Sequence, residues 1–270
     1  MKKIGFILVF LLIFLFFPFP KNIGHQNKPD LKSATSSVET TVKNSEFSPL
    51  SFLPAPDSWP RPLYLVWQAA HIKQPVQEKV NKDAWVKIDT LPATLPQAVV
   101  AIEDHRFYEH SGIDVDGIFR ALLANIQADE IVQGGSTITQ QLIKNALLSS
   151  TQTVERKTLE IFLALIVESS YSKDDILEMY LNSAYFGAGA YGVAQAADTY
   201  FAKTPDELTL AESATLAGLL NAPSVLNPYQ NPEDCKNRRN LVLKTMAKRG
   251  MITGALATSA SSEEIILRGK

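Results

Sequence analysis

An unbroken apolar run from Ile4 to Phe19, free of charge and preceded by Lys2 and Lys3, constrains this chain more than any other feature. A segment of this kind enters a membrane. At about 1.5 Å per residue it just spans a hydrocarbon layer of ~30 Å, and Pro18 and Pro20 disturb its outer end. The reading is a transmembrane signal-anchor over residues 1–20. A cleaved signal peptide competes with it and is disfavoured because no small-residue cleavage pattern follows. On either reading the remainder is exported. Lys21, Lys28 and Lys32 blunt the charge asymmetry, so the orientation rests on the shortness of the leading tail.

Residues 21–60 are Ser, Thr, Asn, Lys and Pro with few aromatics, a composition that cannot offset its own ordering entropy, and they read as a flexible extracytoplasmic linker. With 46% hydrophobic residues the rest can bury a real core, so 61–255 is expected to form one domain, followed by a tail over 256–270. A formal net charge of -2 gives no footprint for nucleic acid. The single cysteine, Cys235, excludes an internal disulfide and leaves no thiolate cluster for zinc.

The domain reads as mostly α. Leu63 to Val66 and Ala84 to Ile88 are short apolar or alternating stretches compatible with strands but too few for a dominant sheet, and after Leu95 the pattern turns helical. Thr137 with Gln140, Ser172 with Asp175, and Thr209 with Glu212 each set a hydroxyl three residues before an acid or amide, predicting helix starts. A last helix is expected from Glu233 to about Lys248, stopped by Gly250.

Three segments carry chemistry. In EDHRFYEHSGID an apolar helix, with Pro96 near its start, delivers Glu103 and Asp104 at its end. There the helix dipole and apolar neighbours both raise a carboxyl's pKa, which suits proton abstraction. The alternative is a solvated charged turn of Glu103, Asp104, His105 and Arg106, which Phe107, His110 and Gly112 make less generic. In GGSTITQQLIKN, Gly134 and Gly135 precede a helix whose first amides point at an anion, and Thr137, Gln141 and Lys144 form a polar stripe along it. Phosphate binding and an ordinary capped, solvated helix remain about equal readings. In ERKTLEIFLALIVES, Arg156 and Lys157 precede Glu160 on a helix too apolar for that carboxylate to be an exposed partner worth only ~0.5 kcal/mol. Two carboxylates on separate elements, Glu103 and Glu160, match displacement at a sugar's anomeric carbon, with Glu168 a weaker candidate.

Other patterns lead elsewhere. Gly187, Gly189 and Gly192 spell a dinucleotide fingerprint, but a helical segment precedes them, so they are expected to shape a turn between helices. Ser170 and Lys173 lack the partner motifs of a β-lactam target, and Ser172 reads as a helix cap. Ile118, Phe119, Leu122, Leu123 and Ile126 recur at helical spacing, a bare pattern that is more often core than membrane contact.

Five motifs in order, EDHRFYEHSGID, GGSTITQQLIKN, RKTLE, ILEMYLNSAYFGAGAYG and LAESATLAGLLNAPSVLNP, fall between about Trp85 and Ile252. Together they resemble the glycosyltransferase domain of peptidoglycan polymerases, family 51, shared by class A penicillin-binding proteins and monofunctional transglycosylases. The resemblance implies a lysozyme-like fold on the outer face of a bacterial cytoplasmic membrane, acting on lipid II and a growing glycan chain that carries undecaprenyl pyrophosphate. Glu103 would be the base, and Glu160 would help bind the pyrophosphate or a divalent cation, Mg or Mn, with no organic cofactor. Lys144, Arg156 and Lys157 would lie near the pyrophosphate, and Ser136, Thr137, Gln140, Gln141 and Asn145 would line the same cleft. Asp104, Phe107 and His110 fall in the motif around the base and are counted with the substrate-binding set. The segment from Ile118 to Ile126, with Ile131, would touch lipid. Transpeptidases or other wall-synthesis proteins are the implied partners, and a transpeptidase domain is expected to be absent from this chain. Three positions depart from the family pattern: Gln152 replaces an Arg, Ala202 a Gly and Leu220 a Pro, which puts the grip on the leaving group in question. Two rival functions follow: a non-catalytic lipid II binder, and a hydrolase of finished glycan.

Overall fold

A computed structural model describes residues 58–80, 84–128, 134–148 and 153–269. The anchor, all but the last three residues of the linker, Ile131 and Gln152 lie outside the described residues.

The chain enters through α1 (Arg61–Ala70), with Pro62 in its first turn, and α2 (Lys73–Lys79). The strand-compatible stretch at Leu63 to Val66 is therefore helix. Leu65 and Ala69, four apart, are its buried face, a periodicity that a four-residue window cannot separate from alternation. The second such stretch, Ala84 to Ile88, is extended chain entering a 3-10 turn at Ile88–Thr90. No neighbouring strand is needed, because the N–H groups of Val86 and Ile88 donate to Asn182 Oδ1 (2.8 Å) and Glu178 Oε2 (3.1 Å).

The helices that position the site follow: α3 (Thr94–Glu103), α4 (Val115–Ala128), α5 (Ile138–Leu147), α6 (Val154–Ser170) and α7 (Lys173–Ser183). A short antiparallel hairpin, β1 (Tyr185–Gly187) and β2 (Ala190–Tyr191), links α7 to α8 (Val193–Phe201). Beyond it lie α9 (Leu210–Leu219), α10 (Pro232–Lys248) and α11 (Gly254–Ser262). All three predicted capping boxes form, at Thr137/Gln140, Ser172/Asp175 and Thr209/Glu212. α3 is packed between α9 and α10, while α5 packs on α6 and α7. The fold is thus mostly helical, with Glu103 and the start of α5 between these two groups.

Three boundaries differ from expectation. The dinucleotide-like glycines shape a hairpin rather than a plain helix–helix turn; a Cβ on Gly192, at φ +81°, would lie 2.5 Å from the Asn182 carbonyl oxygen. The 256–270 segment is no tail. α11 buries Ala257 and Ala260, Leu267 joins the core, and Arg268 donates its N–H to the Tyr200 carbonyl at 2.8 Å. Small residues at helical spacing gave this segment too weak an apolar stripe to read in advance. Finally, α4 does not bury the apolar stripe that its bare pattern reads as core and that the family resemblance reads as lipid-facing. Phe119, Leu122, Leu123 and Ile126 are 62%, 52%, 58% and 67% exposed, and Ile118 is also open.

Candidate active site

Glu103 stands where α3 ends, the last helical residue before Asp104 turns the chain away. Leu95, Ala98, Val99, Val100 and Ala101 bury the body of that helix, which fixes where its end points. Gln141, on α5, donates from Nε2 to Glu103 Oε2 at 2.8 Å. The fully buried Tyr180, on α7, in turn donates to Gln141 Oε1 at 2.9 Å, so three helices hold one amide in a single orientation. Burial pushes the Glu103 carboxyl above its ordinary range, and Asp104 adds to that; the Gln141 hydrogen bond, Arg238 and Lys144 oppose it. The Tyr180 hydroxyl is pushed well up by burial and by Glu103, which keeps it a neutral donor. Among the described residues the Gln141 amide is the hydrogen-bond donor to this carboxylate, through Oε2, an arrangement compatible with a general base.

Asp104 has a different task from its neighbour. It is buried, accepts the Ile138 N–H at 3.0 Å, and meets His110 Nε2 at 3.0 Å through each oxygen. The anion expected at the start of α5 is thus the protein's own carboxylate. The Thr137 N–H donates to Gln140 Oε1 and the Gln140 N–H to Thr137 Oγ1, and Thr137 Oγ1 donates to the Gly112 carbonyl at 2.8 Å. Phe107 is wholly buried. Asp104, Phe107, His110, Thr137 and Gln140, counted with the substrate-binding set, are thus also part of the frame, buried or hydrogen-bonded within the protein. Glu168 also belongs to that frame: it accepts from Thr139 and from Lys173, whose ammonium lies 4.4 Å above the Phe107 ring.

The second carboxylate, Glu160, is only 2% exposed, which removes the solvated ion-pair reading. One oxygen accepts from Arg156 at 3.2 Å and the other from Lys157, which also donates to Ser136 Oγ at 3.1 Å. Arg156 Nε is buried without a hydrogen-bond partner among the described residues. Ser136 and Gln141, on one segment, thus touch the Glu160 and Glu103 groups respectively. Lys144, one turn beyond Gln141, is exposed and acts on Glu103 by charge. Asn145 is placed elsewhere: it lines a cavity of about 420 Å³ with Val76, Lys79, Ser183, Tyr185 and Tyr191.

Sequence reasoning missed Arg238. On α10 it stands beside the buried line of Cys235, Arg239, Val242 and Met246, and an arginine pair on the apolar stripe of a helix is the signal that would have found it. Of the three departures, Gln152 lies outside the described residues. Leu220, at φ -57°, keeps an angle proline also adopts. Ala202 ends α8 in the left-handed region, at φ +53°, so its consequence is conformational.

The family described as Transglycosylase matches residues 69–247. A Cupriavidus necator protein provisionally named a transglycosylase is 48% identical over 68% of this chain and 79% of its own length. Penicillin-binding protein 1A of Neisseria flavescens is 50% identical over 67% of this chain, and penicillin-binding protein 1A/1B of Bacillus subtilis is 46% identical over 67%. Those matches cover 23% and 20% of the two penicillin-binding proteins, so the chain spans about a quarter or less of their length.

Proposed function

The chain belongs to the transglycosylase family, and from that premise we propose that it is a peptidoglycan glycosyltransferase polymerising lipid II. The observation that carries the reading is the pairing of two unlike carboxylates on one scaffold. Glu103 is desolvated and held through Oε2 by Gln141, and Glu160 is sequestered by Arg156 and Lys157.

In the proposed step the 4-hydroxyl of the acceptor GlcNAc attacks C1 of the donor MurNAc. Glu103 takes the hydroxyl proton as the new C–O bond forms, and the C1–O bond to undecaprenyl pyrophosphate breaks with its electron pair. The configuration at C1 inverts to a β-1,4 linkage. Negative charge grows on the leaving group, where Lys144, Arg156 and Lys157 supply cations in a partly dry site. Glu160 orients the last two. A Mg or Mn ion does not fit Glu160 as arranged, because both its oxygens already face cations.

The exposed apolar face of α4 supports a seat in the outer leaflet, next to the site where a lipid-linked donor must arrive. With the apolar run at residues 4–19 it supports a catalytic domain on the extracytoplasmic side of the cytoplasmic membrane, near transpeptidases that would cross-link its product. The test is polymerisation of purified lipid II in detergent. Glycan strands from the wild type and none from Glu103→Gln are expected, whereas release of sugars from intact wall would make the protein a hydrolase.

A further inference from the structure

Two features that the sequence sets apart, the weaker carboxylate candidate Glu168 and the lysine of the Ser170–Lys173 pattern, meet beneath the loop that leaves Glu103. Lys173 Nζ pairs with Glu168 Oε1 at 2.7 Å, and both side chains are largely removed from solvent. The same ammonium lies 4.4 Å above the ring of the wholly buried Phe107. Thr139, on α5, donates to the same Glu168 oxygen at 2.5 Å. The pair therefore joins α5, α6 and α7 at one point.

The loop after Glu103 is pressed onto that point along its length. A Cβ added at Gly112, whose φ is +89°, would lie 3.0 Å from the Ala164 carbonyl oxygen and 3.2 Å from Glu168 Cγ, so the far end of the loop rests on α6. Tyr108 donates to Asp174, next to Lys173, at 3.0 Å. Phe107 meets the His110 ring edge-on at 6.3 Å, and His110 holds Asp104, the residue after Glu103.

α5 and α7 are also tied twice. Lys173 and Tyr180 stand seven residues apart on α7, two turns along one face. Tyr180 reaches α5 directly, at Gln141, whereas Lys173 reaches it through Glu168 and Thr139. A single contact lets two helices turn about it, and the second removes that freedom. Gln141 is the residue that holds Glu103. Resting on the reading of Glu103 as the base, we propose that Lys173, through its pair with Glu168, is a positioning residue for that base. It clamps the loop by Phe107 and sets α5 against α7, so that Glu103 and Gln141 keep one geometry. Buried pairs of this kind add little stability over apolar residues of the same size, so orientation is what this one supplies.

The test uses the full chain in detergent. In Lys173→Met with Glu168→Met, apolar chains of similar length replace both charges, and Tm is expected to stay within about 2 °C of wild type. For lipid II polymerisation, kcat is expected to fall about tenfold with KM within about twofold, the scale of a small misplacement at the reacting centre. Amide hydrogen exchange over residues 104–112 quickens several-fold, while exchange in α9 is unchanged. Lys173→Arg, which keeps a cation on the Phe107 ring, holds kcat near wild type. Lys173→Gln, which still donates to Glu168 but carries no charge, loses part of the rate and carries the test if the double variant does not fold. A wild-type kcat in the folded variant that carries the test overturns the proposal, because a merely structural pair returns full activity with full stability. If loop exchange quickens while the wild type makes no glycan, the proposed function fails and the clamp on the loop stands; if exchange does not move, the clamp fails whatever the wild type makes.

Discussion

Replacing Asp104 by Ala separates a framework role from a substrate-binding one. The wild-type carboxylate accepts the Ile138 N–H at 3.0 Å and pairs with His110 Nε2, both in a buried setting. Its removal leaves two buried donors without their acceptor. Hydrogen bonds to a charged group contribute about 1.5–3 kcal/mol each, and relief of the desolvated charge offsets part of the loss, so a net cost of roughly 2–5 kcal/mol follows. For a domain of this size, about 2–4 °C per kcal/mol places the fall in Tm at roughly 4–20 °C. Asp104→Asn, whose amide oxygen can still accept the Ile138 N–H, should lose less than half of that. Thermal melts followed by far-UV circular dichroism, with Glu103→Gln in parallel, provide the assay. An Asp104→Ala protein that melts within about 2 °C of wild type while losing lipid II affinity would refute the framework assignment and return Asp104 to the substrate.

Tyr180→Phe removes the hydroxyl that holds the Gln141 amide; at about 0.5–1.5 kcal/mol it should lower kcat some three- to tenfold with KM little changed. Gln141→Leu removes a bond that favours ionised Glu103, so the carboxyl moves further up and the acid limb of the pH–rate profile shifts to higher pH; an unmoved limb would contradict the contact. Ala202→Gly relieves a left-handed alanine at the end of α8 and should stabilise the protein by about 1 kcal/mol, read as a Tm rise of roughly 2–4 °C. Phe119→Ser with Leu123→Ser should weaken binding of the catalytic domain to phospholipid vesicles without lowering Tm, since both side chains are exposed; a fall in Tm would mean that they pack against protein.

Helix starts were legible because capping is local: Thr137, Ser172 and Thr209 each find a partner three residues on. The placing of Glu103 at the end of an apolar helix was legible from its motif, and the burial of Glu160 from the apolar helix that carries it. What escaped was set by distant contacts. Nothing near Ile138 reveals that its N–H is taken by a carboxylate 34 residues earlier, so the start of α5 read as open to phosphate. The apolar stripe of α4 has the same period whether it meets protein or lipid, and only the packed structure shows that those residues are left exposed. Arg238 was hidden for a similar reason, since its relation to Glu103 crosses two helices.

The central claim is that Glu103, and not merely the cleft around it, takes the proton from the acceptor sugar. Single-turnover polymerisation of lipid II by wild type and Glu103→Gln, with lipid II binding measured on the same samples, tests this most directly. The account predicts binding within a few-fold of wild type and a rate at least ~100-fold lower, the scale of a lost general base. Glycan formation by Glu103→Gln at a rate near that of the wild type would contradict it.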